Sequence, residues 1–154
     1  MRRWMWILCG ILAFQFLERT GTEPEQLKPV QLLLAEKTGE RVILKTDTVD
    51  YGEGYTVKEA LQNMEDSADG RIFLETAELL ILKGTYEELL ADLQKVLRPA
   101  VGICTTEERL DPAKAAEYLS VLRPEHSFLE LRVGNHELPQ LQWEKGRGKL
   151  VQVR

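Results

Sequence analysis

The chain predicts an α/β fold: a single mixed sheet with about three packed helices and a C-terminal β-hairpin, preceded by an N-terminal hydrophobic helix. Three observations lead there. Apolar runs of strand length alternate with apolar stripes at helical spacing, the pattern of one sheet with helices packed on it. Capping chemistry marks helix starts at Thr56 and Asp111. After Pro124 the apolar segments shorten around Gly134-Asn135 and the stretch Lys145 to Lys149, as in terminal strands and turns. The 154 residues divide into a signal peptide or membrane anchor (1–19), a linker (20–28), an α/β domain (29–123) and a C-terminal β extension (124–154). That is one domain with a modest core.

The first element is the apolar run Trp4 to Leu17, led by Arg2 and Arg3. Two cations ahead of an apolar stretch hold the N-terminus in the cytoplasm and send the rest of the chain across the membrane. As a helix these 14 residues span only about 21 Å, short of a hydrocarbon core of about 30 Å, which favours a cleavable signal peptide. The flank Glu18-Arg19-Thr20-Gly21-Thr22 offers no Ala-x-Ala site, which tips the reading toward an uncleaved anchor. Trp4 and Trp6 suit a headgroup boundary. Cys9 follows Leu8 in the middle of the run, where lipidation is not expected. The competing reading is a core helix of a cytosolic protein, since apolar runs of this length are often buried. The expected location is the cell membrane, single-pass, with the N-terminus cytoplasmic and the body outside; the alternative is secretion after cleavage.

The formal charge is −5, and without residues 1–19 it is −7, from 17 basic and 24 acidic side chains. Nucleic acid is a poor partner for such a body. Lys145, Arg147, Lys149 and Arg154 form a late basic cluster that would suit anionic lipid or an acidic partner, or simply a solvated turn. Cys9 and Cys104 fall in different compartments under this topology, so no internal disulfide is expected.

Residues 20–28 are polar, with Pro24, and read as a tether. Val30 to Ala35 and Arg41 to Val49 read as a hairpin turning at Thr38-Gly39, the second strand placing Val42, Leu44, Thr46 and Thr48 on one face. Asp50 to Tyr55 reads as a glycine-bearing loop. Thr56-Val57-Lys58-Glu59 forms a capping box, and Val57, Ala60, Leu61 and Met64 make the stripe of a first helix ending before Gly70. Arg71 to Lys83 holds a short strand at Ile72 to Leu74 and a fully buried, central one at Leu79 to Leu82. Thr85-Tyr86-Glu87-Glu88 repeats the capping-box pattern ahead of a helix carrying Tyr86, Leu89, Leu90, Leu93, Val96 and Leu97, closed by Arg98-Pro99. A strand over Ala100 to Thr105 precedes a third helix, capped by Asp111 with Pro112 first and Ala115, Tyr118, Leu119 and Leu122 apolar. Phe128 to Val133, Leu138 to Glu144 and Leu150 to Val153 read as short strands; Phe128 and Leu131 also fit a short helix.

Candidate chemistry is sparse. Asp47, Asp50 and Glu53 bunch together without the spacing of a calcium loop. His126 and His136 have no Cys or His at metal spacing and read as loop residues, so neither metal nor cofactor is expected. Cys104 would be a nucleophile only beside one of these histidines, and reads better as buried packing. No serine lies in a Gly-x-Ser-x-Gly elbow, and Gly52 and Gly54 make no phosphate loop and read as turn residues. Glu87-Glu88 and Glu107-Glu108 suit helix starts. Trp143 alternates with Leu141 and reads as core, or as an exposed anchor for a partner.

The segment Gly54-Tyr55-Thr56-Val57-Lys58-Glu59-Ala60-Leu61 follows an opening strand pair; Leu79-Leu80-Ile81-Leu82, Glu87 to Leu97, Ala100 to Thr105 and Lys114-Ala115-Ala116-Glu117-Tyr118-Leu119 come after it. In this order they resemble the N-terminal domain of the C subunit of spore germinant receptors, the Ger(x)C-type proteins of spore-forming Firmicutes, over about 60% of the chain. Members are usually lipoproteins with further domains, whereas this sequence has no lipobox and carries Arg98-Pro99-Ala100 where an Arg-rich segment is usual. The resemblance implies a non-enzymatic, membrane-tethered structural or interaction protein of sporulation or germination, meeting a membrane-protein partner or itself through its sheet edge or helix faces. An extracytoplasmic small-ligand module is the alternative, with Asp50, Tyr51, Glu53, Tyr55 and Trp143 as contacts in a pocket formed by residues 50–55 and the C-terminal hairpin; a secreted hydrolase, in which His126 or His136 converges with Cys104 or a carboxylate in a cleft, is the third reading.

Overall fold

The computed structural model describes residues 27–133, 137–144 and 147–151. Its centre is a seven-stranded mixed sheet of β2 (Leu32–Thr38), β3 (Arg41–Thr46), β4 (Tyr51–Gly54), β6 (Leu79–Gly84), β7 (Gly102–Thr106), β8 (Gln140–Glu144) and β9 (Arg147–Val151). The spatial order is β4-β3-β2-β6-β7-β8-β9, and β1 (Leu27–Pro29) pairs separately with β5 (Arg71–Phe73). The helices are α1 (Val57–Ser67), α2 (Glu87–Leu93), α3 (Pro112–Val121) and the short α4 (Phe128–Val133). The mixed sheet, the three longer helices and the C-terminal hairpin are as the sequence predicts. The expected N-terminal helix, with Arg2, Arg3, Trp4, Trp6 and Leu17, lies outside the described residues, as does His136.

Alternation along the strands makes two cores. Leu33, Ala35, Leu44, Leu80, Leu82 and Ile103 face Val57, Ala60 and Met64 of α1 and Leu89 and Leu93 of α2. On the opposite face Leu32, Leu34, Leu79, Ile81, Cys104 and Leu141 meet Ala115, Ala116 and Leu119 of α3. Strand β6 is apolar at four successive positions because both its faces are covered, and it lies between parallel neighbours β2 and β7. Each such buried Leu or Ile contributes roughly 1.5–3 kcal/mol.

Two helix starts form as their sequences specify. Thr56 Oγ1 accepts from the Glu59 amide at 3.1 Å, and the Glu59 carboxylate accepts from the Tyr55 amide at 2.8 Å. Asp111 accepts from the Ala113 amide at 3.1 Å, with Pro112 in the first turn where it forfeits no helical bond.

Six expectations need correction. The last strand starts at Arg147 and not at Leu150, so Arg147 to Lys149, read as part of a turn, pair in register with β8. Asp50 to Tyr55 is not a loop: Tyr51–Gly54 is a strand in register with β3. The strand before it stops at Thr46, because the Thr46 hydroxyl and backbone bond to Asp50 and Thr48 and turn the chain. The box at Thr85 does not form; Glu88 is instead drawn into an ion pair with Lys37, and α2 starts after Tyr86 without a side-chain cap. The strand proposed over Phe128 to Val133 is the short helix α4, because Glu130 accepts from the Ser127 amide at 2.8 Å and Leu131 donates to the Ser127 carbonyl. The last residues of the expected tether, Leu27 and Lys28, belong to β1.

Candidate functional site

Asp50, Tyr51, Glu53 and Tyr55 sit on or beside β4, at one edge of the sheet, and Trp143 sits on β8 near the other. Five inter-strand steps separate them, about 24 Å at the usual strand spacing. A pocket shared by residues 50–55 and the hairpin around Trp143, expected when residues 50–55 read as a glycine-bearing loop, is therefore not formed.

The residues on β4 have local partners. Tyr51 donates to Glu53 at 2.7 Å, and Arg41 pairs with the other Glu53 oxygen. Arg41 first, and Tyr51 second, hold the Glu53 carboxyl below its ordinary pKa, while the bond to Glu53 raises that of the Tyr51 phenol. Asp50 receives the Thr48 hydroxyl at 2.7 Å and Lys28 at 3.3 Å. Asp47 receives the amides of Gln31 and Leu32, each at 3.0 Å, and so fixes the entry to β2. Among the described residues, no group of three or more His, Cys, Asp or Glu is placed to hold a metal ion.

Helix α1 covers the outer edge of β4. The Asn63 amide donates to the Glu53 carbonyl at 2.6 Å, and the Ser67 hydroxyl lies 3.3 Å from the Tyr51 carbonyl while also reaching the Asn63 and Met64 carbonyls of its own helix at 2.9 and 3.1 Å; alternation turns the Glu53 and Tyr51 carbonyls away from β3. The close approach depends on glycine: a Cβ at Gly52 would lie 2.1 Å from the Ala60 carbonyl, and one at Gly54 2.7 Å from the Ala60 amide. These two residues, which read as turn glycines, are packing sites for a helix.

Around Trp143 the surface is mostly apolar, with Lys114 and Glu117 also lining it. Trp143 meets Tyr118 edge-on, with ring centroids 5.9 Å apart, and the Tyr118 ring lies against Gly148 of β9. Val121 and Leu122 at the end of α3 are 83% and 49% exposed, and together these residues line a groove of about 570 Å³. Trp143 is half-buried, so neither core nor free anchor describes it alone. Its backbone is tied down by Glu108, which accepts from the Trp143 amide at 3.0 Å, and by Thr106, whose hydroxyl donates to the Leu141 carbonyl.

A second concavity, about 300 Å³, lies where β6 and β7 begin and is lined by Glu78, Arg98, Arg123, His126, Ser127 and Glu130. Arg123 pairs with Glu78 at 3.0 Å, and His126 Nδ1 is 3.9 Å from Glu130. Sequence reasoning placed His126 in a loop but missed this cleft; the signal was the Ser127-x-x-Glu130 spacing, whose Glu130 carboxylate accepts from the Ser127 amide ahead of α4. Cys104 is fully buried against α3, and burial pushes its thiol up to about 12, which suits packing and not nucleophilic attack. No helix among the described residues is long and apolar enough to cross a membrane.

No protein-family model, no curated protein and no solved structure matches this chain.

Proposed function

We propose that this chain is a membrane-tethered, non-enzymatic interaction protein of a sporulation or spore-germination system, held by Trp4 to Leu17 with its body outside the cytoplasm. The observation that carries the interaction part is the groove beside Trp143, where Val121 and Leu122 expose apolar surface next to two aromatic rings. Side chains of this kind, gathered at one place, suit the centre of a protein interface. Arg2 and Arg3 ahead of the apolar run support the tether, and the ordered segments from Gly54-Tyr55-Thr56 to Leu119 support the germination setting.

The test is protease treatment of intact protoplasts carrying a C-terminally tagged chain, followed by mass determination of the membrane-bound form. The expected result is a digested tag on a chain that keeps residues 1–22. A protected tag would overturn the outward orientation. A photo-crosslinker at Val121 is expected to capture a membrane protein, and a crosslinker at Gln62 on α1 serves as the control.

The cleft at the start of β6 and β7 favours a second reading, an extracytoplasmic small-ligand module. Its guanidinium, imidazole and carboxylate groups suit a small polar molecule. Ligand-dependent protection of Ser127 to Glu130 from hydrogen exchange, with no captured protein, would favour it over the first.

A further inference from the structure

The outer side of β9 has no strand partner among the described residues, and the two faces of this strand differ. Gly148 lies under the Tyr118 ring and Leu150 packs with the α3-side core, so these positions face α3 while exposed Lys149 lies on the other face. The strand reads Arg147-Gly148-Lys149-Leu150-Val151, with two cations and no carboxylate, in a chain of net charge −5. A second copy of β9 added to this edge would set like charges opposite each other, which disfavours self-pairing. On the α3 side the groove beside Trp143 and Val121 adjoins the same strand at Gly148. An added strand would therefore meet Lys149 on one face and the apolar groove on the other.

We propose that β9 is a docking edge for an extended acidic segment of a partner protein, one that alternates Asp or Glu with apolar residues. The proposal rests on the interaction reading above and names the partner's chemistry. Main-chain hydrogen bonds to the edge supply affinity. Carboxylates beside Lys149 and apolar side chains in the Trp143 groove supply selectivity.

Hydrogen exchange over 147–151 of the full-length protein in detergent tests it, using short synthetic peptides as probes. A peptide alternating Glu and Val is expected to slow exchange about tenfold at saturation, the change given by one or two net strand hydrogen bonds. A Lys-Val peptide and a Glu-Val peptide with N-methylated backbone amides are expected to leave the rate unchanged. Lys149→Glu, with its circular dichroism unaltered, should lose the response to Glu-Val. Equal slowing by the N-methylated peptide would mean charge attraction without strand addition and would overturn the proposal. So would no slowing by Glu-Val, or the same slowing by phosphatidylglycerol vesicles. An unresponsive β9 together with a protein captured at Val121 would remove the edge proposal and leave the interaction reading standing; no capture at Val121 removes that reading.

Discussion

At β4 the sheet ends beneath a helix, with Asn63 and Ser67 of α1 bonded to outward carbonyls, whereas at β9 it ends on a glycine- and cation-bearing strand that no described strand flanks. Both edges face the same hazard, since unpaired backbone groups invite another chain. One is covered by the fold itself. The other carries charges of one sign, which discourage a copy of itself and admit a partner of the opposite sign. On the docking proposal above, the first edge serves stability and the second recognition.

The sharpest way to break the comparison is Gly52→Ala. Its Cβ would press on backbone at 2.1 Å from the Ala60 carbonyl, so α1 must lift from β4. A loss of about 3 kcal/mol in urea unfolding is expected. Gly148→Ala at the other edge meets a Tyr118 ring carbon at 2.6 Å, and a side chain yields more readily than backbone. Its cost is expected near 1 kcal/mol. Equal losses at both positions would remove the distinction.

Uncovering β4 is the next largest effect. The pair Asn63→Ala with Ser67→Ala takes the donors from the Glu53 and Tyr51 carbonyls and should cost about 2 kcal/mol. The variant should also associate more strongly than the parent with rising concentration in sedimentation.

The middle of the sheet supplies a reference common to both edges. Cys104 keeps its proton in the folded state up to about 12, against 9.0 for the free thiol. Above pH 9 the unfolded chain binds fewer protons than the folded one, so stability falls as pH rises, by roughly 1.4 kcal/mol at pH 10. Cys104→Ala should lack this alkaline loss when the two proteins are unfolded side by side. Cys104 in the folded protein should also resist N-ethylmaleimide until denaturant is added.

The smallest expected change is a gain. Val49, in the turn that leads into β4, has φ of 71° and is 86% exposed, a left-handed conformation that a β-branched residue adopts at a cost. Val49→Gly should raise stability by about 0.5–1 kcal/mol without lost packing.

The sequence was most legible where local chemistry and burial agree. Leu79 to Leu82 read as a buried central strand, and Thr56 with Glu59, and Asp111 with Pro112, read as helix starts; the structure has all three. It was least legible where a distant contact decides. Gly52 and Gly54 look like turn residues until α1 is known to lie on them, because the reason for a missing Cβ is a helix carbonyl several residues away. Glu88 left its expected capping role for Lys37 on a strand far off in sequence. Phe128 to Val133 was ambiguous by periodicity, and the Ser127 and Glu130 pair that settles it as a helix was present in the sequence but outweighed by the run of β-like segments around it. The candidate site divided for the same reason: residues 50–55 and Trp143 are both aromatic-bearing segments, and only the strand order reveals that they occupy opposite ends of the sheet.

The most direct test of the central claim is residue-resolved hydrogen exchange of the free, full-length protein, comparing amides of 51–54 with those of 147–151. A covered β4 and an available β9 predict slower exchange at β4, by about a hundredfold, as for a packed element against one that opens locally. Equal protection at the two edges, or faster exchange at β4, would contradict the account.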